Sequence, residues 1–154
     1  MEKTLVLAKP DALQRGLVGE IISRFERKGL KLVAIKMLET GDELLDAHYA
    51  EHADKPFFND LKKFMKSSPI VAMVWEGAGS IETVRLMVGA TNARKAVPGT
   101  IRGDFGMSGA SNNMVHASDS PESAKKEVGH FFSSDEVFDY TKSEYEHVYA
   151  PEEL

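Results

Sequence analysis

The chain has 154 residues, 42% of them hydrophobic, and its formal net charge at pH 7 is −5. This length supports one hydrophobic core, so we expect a single domain over residues 1–154. The absence of cysteine excludes disulfides and thiolate metal ligands, and the acidic balance disfavours a general nucleic-acid binder. No apolar run is long enough for a signal peptide or a membrane span, so we expect no membrane partner and a cytoplasmic location.

The first predicted elements are two strands with a helix between them. TLVLA (4–8) is typical of a strand, and VGEIISRFERKG (18–29) places apolar residues on one helical face. Gly29 is a natural helix stop, and LKLVAIKML (30–38) then alternates as a half-buried strand.

The middle of the chain predicts three helices and a strand. Helical spacing is present in DELLDAHYAEHA (42–53) and in PFFNDLKKFMKSS (56–68). PIVAMVWEG (69–77) predicts a third strand, and IETVRLMVG (81–89) predicts a short helix that ends at a glycine.

The last predicted elements are a strand over NMVHA (113–117), a helix and a short helix near 133–140. Ser120 suits the N-cap of the first of these helices, and Pro121 suits its first turn. Two strand-helix-strand units indicate an α+β fold, the ferredoxin-like βαββαβ sandwich, with a four-stranded antiparallel sheet and helices on one face.

Residues 91–113 are expected to form one long loop, because they contain many glycines and small residues and no sustained period. Long loops in compact domains are usually functional. The cations Arg94, Lys95 and Arg102 fall in this loop, shortly before His116. A few convergent cations can bind a small anion even in an acidic protein, although a solvated basic loop is the alternative.

His116 lies in NNMVHASDS (112–120), between an apolar run and a polar cluster. In a chain without cysteine, a nucleophile must be His, Ser, Thr, Lys or a carboxylate. A neutral imidazole has a free lone pair and needs no strong base, whereas a serine does. From these residues alone, His116 is either a nucleophile or a histidine packed at the end of a strand.

Five blocks of the chain together resemble the nucleoside diphosphate kinase family, in order and at that family's spacing. The resemblance extends from Lys3 to about Tyr149, and its most specific element is the His-x-Ser-Asp stretch that begins at His116. The blocks are AKPDALQRGLVGEII (8–22), HYAEHADKPFF (48–58), VAMVWEG (71–77), PGTIRGDF (98–105) and NNMVHASDSPESAKKE (112–127).

The resemblance implies transfer of the γ-phosphoryl group of a nucleoside triphosphate, mainly ATP, to a nucleoside diphosphate by a ping-pong mechanism. By similarity His116 is the nucleophile that forms a phosphohistidine. Glu127 and Ser118 are implied to orient its imidazole, as a carboxylate does in catalytic triads. Without the resemblance, Glu127 would be read as a solvated helix carboxylate.

The resemblance also implies a phosphate site built without a P-loop, since the chain has no G-x-x-x-x-G-K-[ST] stretch. It assigns phosphate contacts to Arg85, Thr91 and Arg102, and it places Lys9 and Asn113 at the sugar hydroxyl and the transferring group. Guanidinium groups match phosphate oxygens in pairs, which suits the two arginines. Taken singly, Arg85 and Lys9 would be surface charges.

Base binding is implied for Phe57, with Tyr49 near the phosphates. Helical patterning alone would instead place Phe57 in the core. Because stacking uses a face that every base shares, we expect little selectivity among bases. Mg²⁺ is the implied cofactor, held mainly by the nucleotide phosphates, and no residue of the chain is expected to hold a metal by itself.

Four features depart from the family pattern. Ala12 and Ala117 stand where glycine is usual, and a methyl beside His116 matters only if the backbone there needs a positive φ. Ala93 replaces a frequent proline, and the stretch 106–113 is one residue longer than usual.

Two other functions are compatible with such a fold. A non-catalytic nucleotide-binding or regulatory member would have lost the histidine or its carboxylate, and both are present. An RNA-binding module would need aromatic sheet motifs and a basic face, which the sequence lacks. The family resemblance also implies a homohexamer, with a homotetramer as the alternative.

Overall fold

The computed structural model describes all residues 1–154 and contains a single four-stranded sheet. The strands are β1 (Glu2–Ala8), β2 (Lys31–Leu38), β3 (Ile70–Gly77) and β4 (Val115–Ala117). Their order is β2-β3-β1-β4, and every neighbouring pair is antiparallel. This arrangement confirms the predicted ferredoxin-like α+β fold. No helix is long and apolar enough to cross a membrane.

Seven helices connect and cover the strands. Their bounds are α1 (Pro10–Gln14), α2 (Val18–Lys28), α3 (Asp42–His48), α4 (Phe58–Met65), α5 (Ser80–Val88), α6 (Ile101–Phe105) and α7 (Pro121–Phe131). Shorter 3-10 turns follow α3 at Ala50–His52 and α7 at Ser134–Glu136. The helices predicted over 42–53 and 56–68 are therefore shorter than expected, and the one near 133–140 is only a single turn.

Helices cover both faces of the sheet, so the expectation of helices on one face is wrong. Val6, Met73 and Trp75 lie in one apolar core with α1, α2, α5 and α6. Leu7 and Val74, from the same two central strands, lie in a second core with α3, α4 and α7. The physical reason is visible in β3, whose eight residues are all buried, as the continuous apolar run IVAMVW would require.

Two helices, α1 and α6, were not predicted. Both have five residues, too few to show a helical period. The sequence did carry start signals, because Pro10 occupies the first turn of α1 and the Thr100 side chain accepts a hydrogen bond from the Gly103 N–H. The expected loop 91–113 is thus partly helical.

Candidate active site

His116 lies on β4 opposite Leu7 of the central strand β1. Its Nε2 is 2.9 Å from Oε2 of Glu127 on α7. The Ser118 hydroxyl donates to the same oxygen at 2.6 Å and accepts from the Leu5 N–H at 3.3 Å. Because the carboxylate accepts from Nε2–H, this geometry favours the tautomer whose free lone pair is on Nδ1. The three residues therefore have the arrangement expected of an oriented nucleophile.

The Glu127 carboxylate is held in its charged form. Partial burial acts to raise its pKa, but hydrogen bonds from His116 and Ser118 and the interaction with the imidazole outweigh burial, so the pKa lies below its ordinary value. A charged carboxylate is what stabilises the imidazole tautomer with Nε2 protonated.

His48, at the end of α3, is a site residue that the sequence reasoning missed. Its ring contacts His116 edge-on, with centroids 4.7 Å apart, and both of its ring nitrogens are buried without a hydrogen-bond partner. Burial, followed by the nearby His116, lowers the pKa of His48 to about 3, so its imidazole is neutral at physiological pH. Spacing along the chain gave no signal for His48, because its contact with His116 is tertiary.

A cavity of about 120 Å³ opens beside His116. Four of the five histidines in the chain line it, namely His48, His52, His116 and His130, together with Tyr49, Lys126 and Asp119. Tyr49 packs against His48 at 4.5 Å, and its buried hydroxyl has no partner. Burial, and to a smaller extent Glu127, raises the pKa of Tyr49 above its ordinary range.

Phe57 stands at the outer end of this row of rings. It contacts His52 at 5.5 Å and is 48% exposed, so the alternative that placed it in the core is wrong. The residue after it, Phe58, is the one that packs against the second core. The exposed ring of Phe57, next to His52 of the cavity lining, is free to stack on a ligand.

Lys9, Asn113 and Arg102 form one buried network between β1, β4 and α6. The Lys9 ammonium donates to Asn113 Oδ1 at 2.8 Å, and the Asn113 amide donates to the Thr91 carbonyl at 2.8 Å. Arg102 donates to the carbonyls of Gly89, Asn113 and Val115 at 2.7–3.1 Å. The network ties the interrupted segment 91–113 to the strand that carries His116.

Burial depresses the pKa of both cations in this network. Desolvation, followed by repulsion from Arg102, lowers the pKa of Lys9 to about 8. Desolvation and the nearby Arg85 lower the pKa of Arg102 to about 10. Arg85 itself is exposed on α5, and its guanidinium donates to the Ala117 carbonyl at 3.4 Å. The region therefore concentrates positive charge beside the histidine.

Met114 is the one non-glycine residue with a positive φ, 72°. Its N–H donates to Asp11 at 3.0 Å and its carbonyl accepts from the Lys9 N–H at 2.9 Å. Such a conformation costs about 1–3 kcal/mol and persists only where neighbours enforce it. It turns the chain between Asn113 and the strand that carries His116, and no feature of the sequence predicted it.

Neither alanine substitution near the site strains the backbone. Ala117 lies within β4 at a negative φ, so its methyl group occupies a position that any residue can adopt. Ala12 is fully buried in the first core, where its methyl group adds to the packing of α1.

The fold and the site together define a class of enzyme, the phosphotransferases. An oriented histidine lies beside buried cations on a βαββαβ sheet. Residues 2–137 match the model of the family described as nucleoside diphosphate kinase. The chain belongs to the nucleoside diphosphate kinase family. It is accordingly an enzyme that transfers the γ-phosphoryl group of a nucleoside triphosphate to a nucleoside diphosphate.

Individual relatives resemble the chain over nearly its whole length. A nucleoside diphosphate kinase of Archaeoglobus fulgidus is 55% identical over 149 residues, which cover 97% of this chain and 98% of that protein. A halophilic enzyme from Halobacterium salinarum, solved with CDP, has 46% identity and a TM-score of 0.94, over 97% of this chain and 99% of the other. A transition-state mimic of the Borrelia burgdorferi enzyme with vanadate and ADP has 38% identity and a TM-score of 0.87, over 94% of each chain.

Proposed function

We propose that His116 is the residue that carries the phosphoryl group between the two nucleotides. Its Nδ1 lone pair attacks the γ-phosphorus of the triphosphate, the bond from that phosphorus to the β–γ bridging oxygen breaks, and the diphosphate leaves. In the second half-reaction, the terminal oxygen of an acceptor diphosphate attacks the same phosphorus and the bond to Nδ1 breaks. The observation that carries the proposal is the contact of His116 Nε2 with Glu127 at 2.9 Å, which frees Nδ1 for attack.

The surrounding polar residues act by positioning and by charge stabilisation, which supply most of the catalysis in phosphoryl transfer. Glu127 and Ser118 hold the imidazole. Lys9, buried and hydrogen-bonded to Asn113, supplies a positive charge next to the transferring group. The remaining phosphate contacts come from Arg85, Thr91 and Arg102.

The base binds on the exposed ring of Phe57, and Tyr49 lies nearer the phosphates. A stacking ring offers no hydrogen bonds that distinguish one base from another, so we infer a broad range of nucleoside di- and triphosphate substrates and no required nucleic acid. The CDP and ADP complexes of the two relatives named above are consistent with this range.

Mg²⁺ is the cofactor that we infer for the nucleotide. The cavity carries the separate carboxylates Glu51 and Asp119 besides the engaged Glu127, and it offers no carboxylate cage of its own. These residues fit an ion held mainly by the nucleotide phosphates. When bound, Mg²⁺ neutralises charge on the phosphates.

The decisive experiment is labelling without an acceptor. The protein incubated with γ-labelled ATP and Mg²⁺ should acquire a phosphate that acid removes and alkali does not, and GDP should discharge it into GTP. His116→Ala should abolish labelling and turnover, whereas Ser118→Ala should still be labelled. Label that resists acid, or that persists in His116→Ala, would assign the nucleophile to another residue.

We also propose that residues 1–154 act as one domain in a cytoplasmic homohexamer, with a homotetramer as the alternative. One sheet includes all four strands, and the residues after α7 return to β2, where the Phe138 N–H donates to the Val33 carbonyl at 2.8 Å. The exposed apolar residues Ile35, Met37 and Met107 support association. The cytoplasmic location is inferred because the triphosphate substrates are abundant there.

A further inference from the structure

The side chains around His116 include a set of possible transition-metal ligands, which the proposed phosphoryl transfer does not require. His48, His116 and Glu127 each offer a ligand atom, and these atoms all lie within 4.8 Å of one another. Two imidazoles and one carboxylate are a donor set that Zn²⁺ binds in enzymes, usually with a fourth position left open. Mg²⁺ prefers oxygen ligands and does not suit this set.

His48 is the residue that most strongly indicates a metal ligand. Both of its ring nitrogens are buried without a hydrogen-bond partner, although buried polar groups almost always have one. The transfer mechanism gives His48 no step to perform. A metal ion in the cavity would supply the missing partner for one of these nitrogens.

We propose that His48, His116 and Glu127 form an inhibitory Zn²⁺ site that competes with phosphorylation of His116. The effect on catalysis rests on the proposed function, in which His116 is the nucleophile. A neutral imidazole has one free lone pair, and a ring that binds a metal through either nitrogen carries its proton on the other. Zn²⁺ on His116 therefore removes the nucleophilic lone pair, whichever nitrogen it occupies.

Phosphorylation of His116 is expected to weaken the site. A phosphoryl group on Nδ1 takes the lone pair of that nitrogen and adds bulk in the cavity that His48 and Glu127 also line. Zn²⁺ is thus expected to bind the unphosphorylated enzyme more tightly. The absence of cysteine means that no thiolate elsewhere in the chain competes for the ion.

Calorimetric titration of the untagged chain with Zn²⁺, without nucleotide, tests the site directly. We expect one ion per chain, and we expect His48→Gln and Glu127→Gln each to weaken its affinity by about tenfold or more. His52→Gln is the matched control, because His52 lines the same cavity but is not one of the three ligands. Circular dichroism of each variant checks that it is folded.

Three results would overturn the inference: no binding by the unmodified chain, full binding by folded His48→Gln, or an equal loss in His52→Gln. The phosphoenzyme, freed of nucleotide by desalting, should bind Zn²⁺ more weakly than the unphosphorylated enzyme, and equal affinity would also contradict the inference. Labelling with γ-labelled ATP, measured separately in metal-free buffer, tests the proposed function. Labelling without Zn²⁺ binding removes only this inference. Zn²⁺ binding without labelling removes the proposed nucleophile, and with it the competition, but leaves the metal site.

Discussion

Phe57 and Phe58 are adjacent rings with different environments, and this difference makes a test of base stacking. Phe57 is 48% exposed, whereas Phe58 packs against the second core. Phe57→Ala should weaken nucleotide binding by about 1–3 kcal/mol, the usual size of a base–aromatic stack. It should leave the free energy of unfolding nearly unchanged.

Phe58→Ala is the control for this test and should lower the free energy of unfolding. Titration with a nucleoside diphosphate and denaturant unfolding measure the two quantities. Loss of stability in Phe57→Ala with unchanged affinity would contradict the stacking role.

Arg102 has a structural role in the buried network, and we propose a catalytic one. Its guanidinium donates to three backbone carbonyls, and its side chain is buried. Arg102→Ala should lower the free energy of unfolding by about 2–4 kcal/mol, because buried acceptors then lose their donors. It should also lower kcat by about tenfold or more, through loss of a cation near the developing charge.

Arg94→Ala is the matched control, since Arg94 is exposed in the same segment and should change neither quantity. Urea unfolding and steady-state kinetics at saturating nucleotide give both measurements. An unchanged kcat in folded Arg102→Ala would show that Arg102 only supports the loop.

Lys9 should set the alkaline limb of the pH profile. Because the pKa of Lys9 is lowered to about 8, its ammonium is charged below that pH and loses its proton above it. A neutral Lys9 no longer stabilises the phosphates, so kcat/KM, which reports the free enzyme, should fall as pH rises through about 8.

Lys9→Arg keeps its charge throughout this range and should remove the alkaline limb. Its activity at neutral pH should be lower, because a guanidinium differs in shape from an ammonium. The measurement is kcat/KM for a diphosphate acceptor between pH 6 and pH 10, a range of about two units on either side of the expected midpoint. The same limb in Lys9→Arg would assign it to a different group.

At the scale of helices, substitution of two glycines by alanine is expected to change the stability of the protein in opposite directions. Gly29 caps α2 with φ of 100°, and an added Cβ would lie 2.6 Å from Val148. Gly29→Ala should therefore destabilise the protein by about 1–2 kcal/mol. Gly129 lies within α7 with nothing near its Cβ position, so Gly129→Ala should stabilise it by about 0.5–1 kcal/mol. Thermal unfolding of both variants tests the contrast, and equal shifts would contradict it.

Periodic patterns predicted the longer elements because burial of one face imposes a period. The strand over 69–77 and the helix over 18–29 agree with the structure to within a residue. The helix α6 was not predicted and lies in a segment expected to be a loop, because its five residues are too few to show a helical period. Covering of both sheet faces could have been predicted from the unbroken apolar run in β3.

The site was predictable only in part, because its residues meet through tertiary contacts. Resemblance to the family named His116, Glu127 and Lys9, but spacing along the chain did not reveal that His48 would pack against His116. The positive φ of Met114 is enforced by Asp11 and Lys9, which lie more than a hundred residues away in sequence. No local propensity encodes such a constraint.

Across the whole molecule, the net charge of −5 conceals a local excess of cations. Lys9, Arg85 and Arg102 come from three different segments of the chain and lie close together. Burial and then Arg102 lower the pKa of Lys9, and burial and then Arg85 lower the pKa of Arg102. Convergent cations can make a local positive pocket in an acidic protein, and such a pocket favours small anions. Net charge alone therefore does not identify the ligand of the site.

The outer edge of the sheet gives the last prediction, which concerns assembly. The edge strand β2 is paired with β3 on one side only, and the tail covers it near Val33. Beyond that point, Ile35 is 48% and Met37 is 62% exposed. An open edge with apolar side chains favours pairing with a second copy.

Substitution of both residues, Ile35→Glu with Met37→Glu, should therefore convert the proposed hexamer into smaller species without unfolding the chain. Light scattering should give six times the chain mass of 17.0 kDa for the unmodified protein and a smaller multiple for the variant. Leu86→Glu is the control, because Leu86 is 69% exposed on α5, away from this edge, and should leave the mass unchanged. Two buried carboxylates at one interface would cost about 3 kcal/mol or more per copy. A hexamer that survives the double substitution would therefore show that assembly uses a different surface.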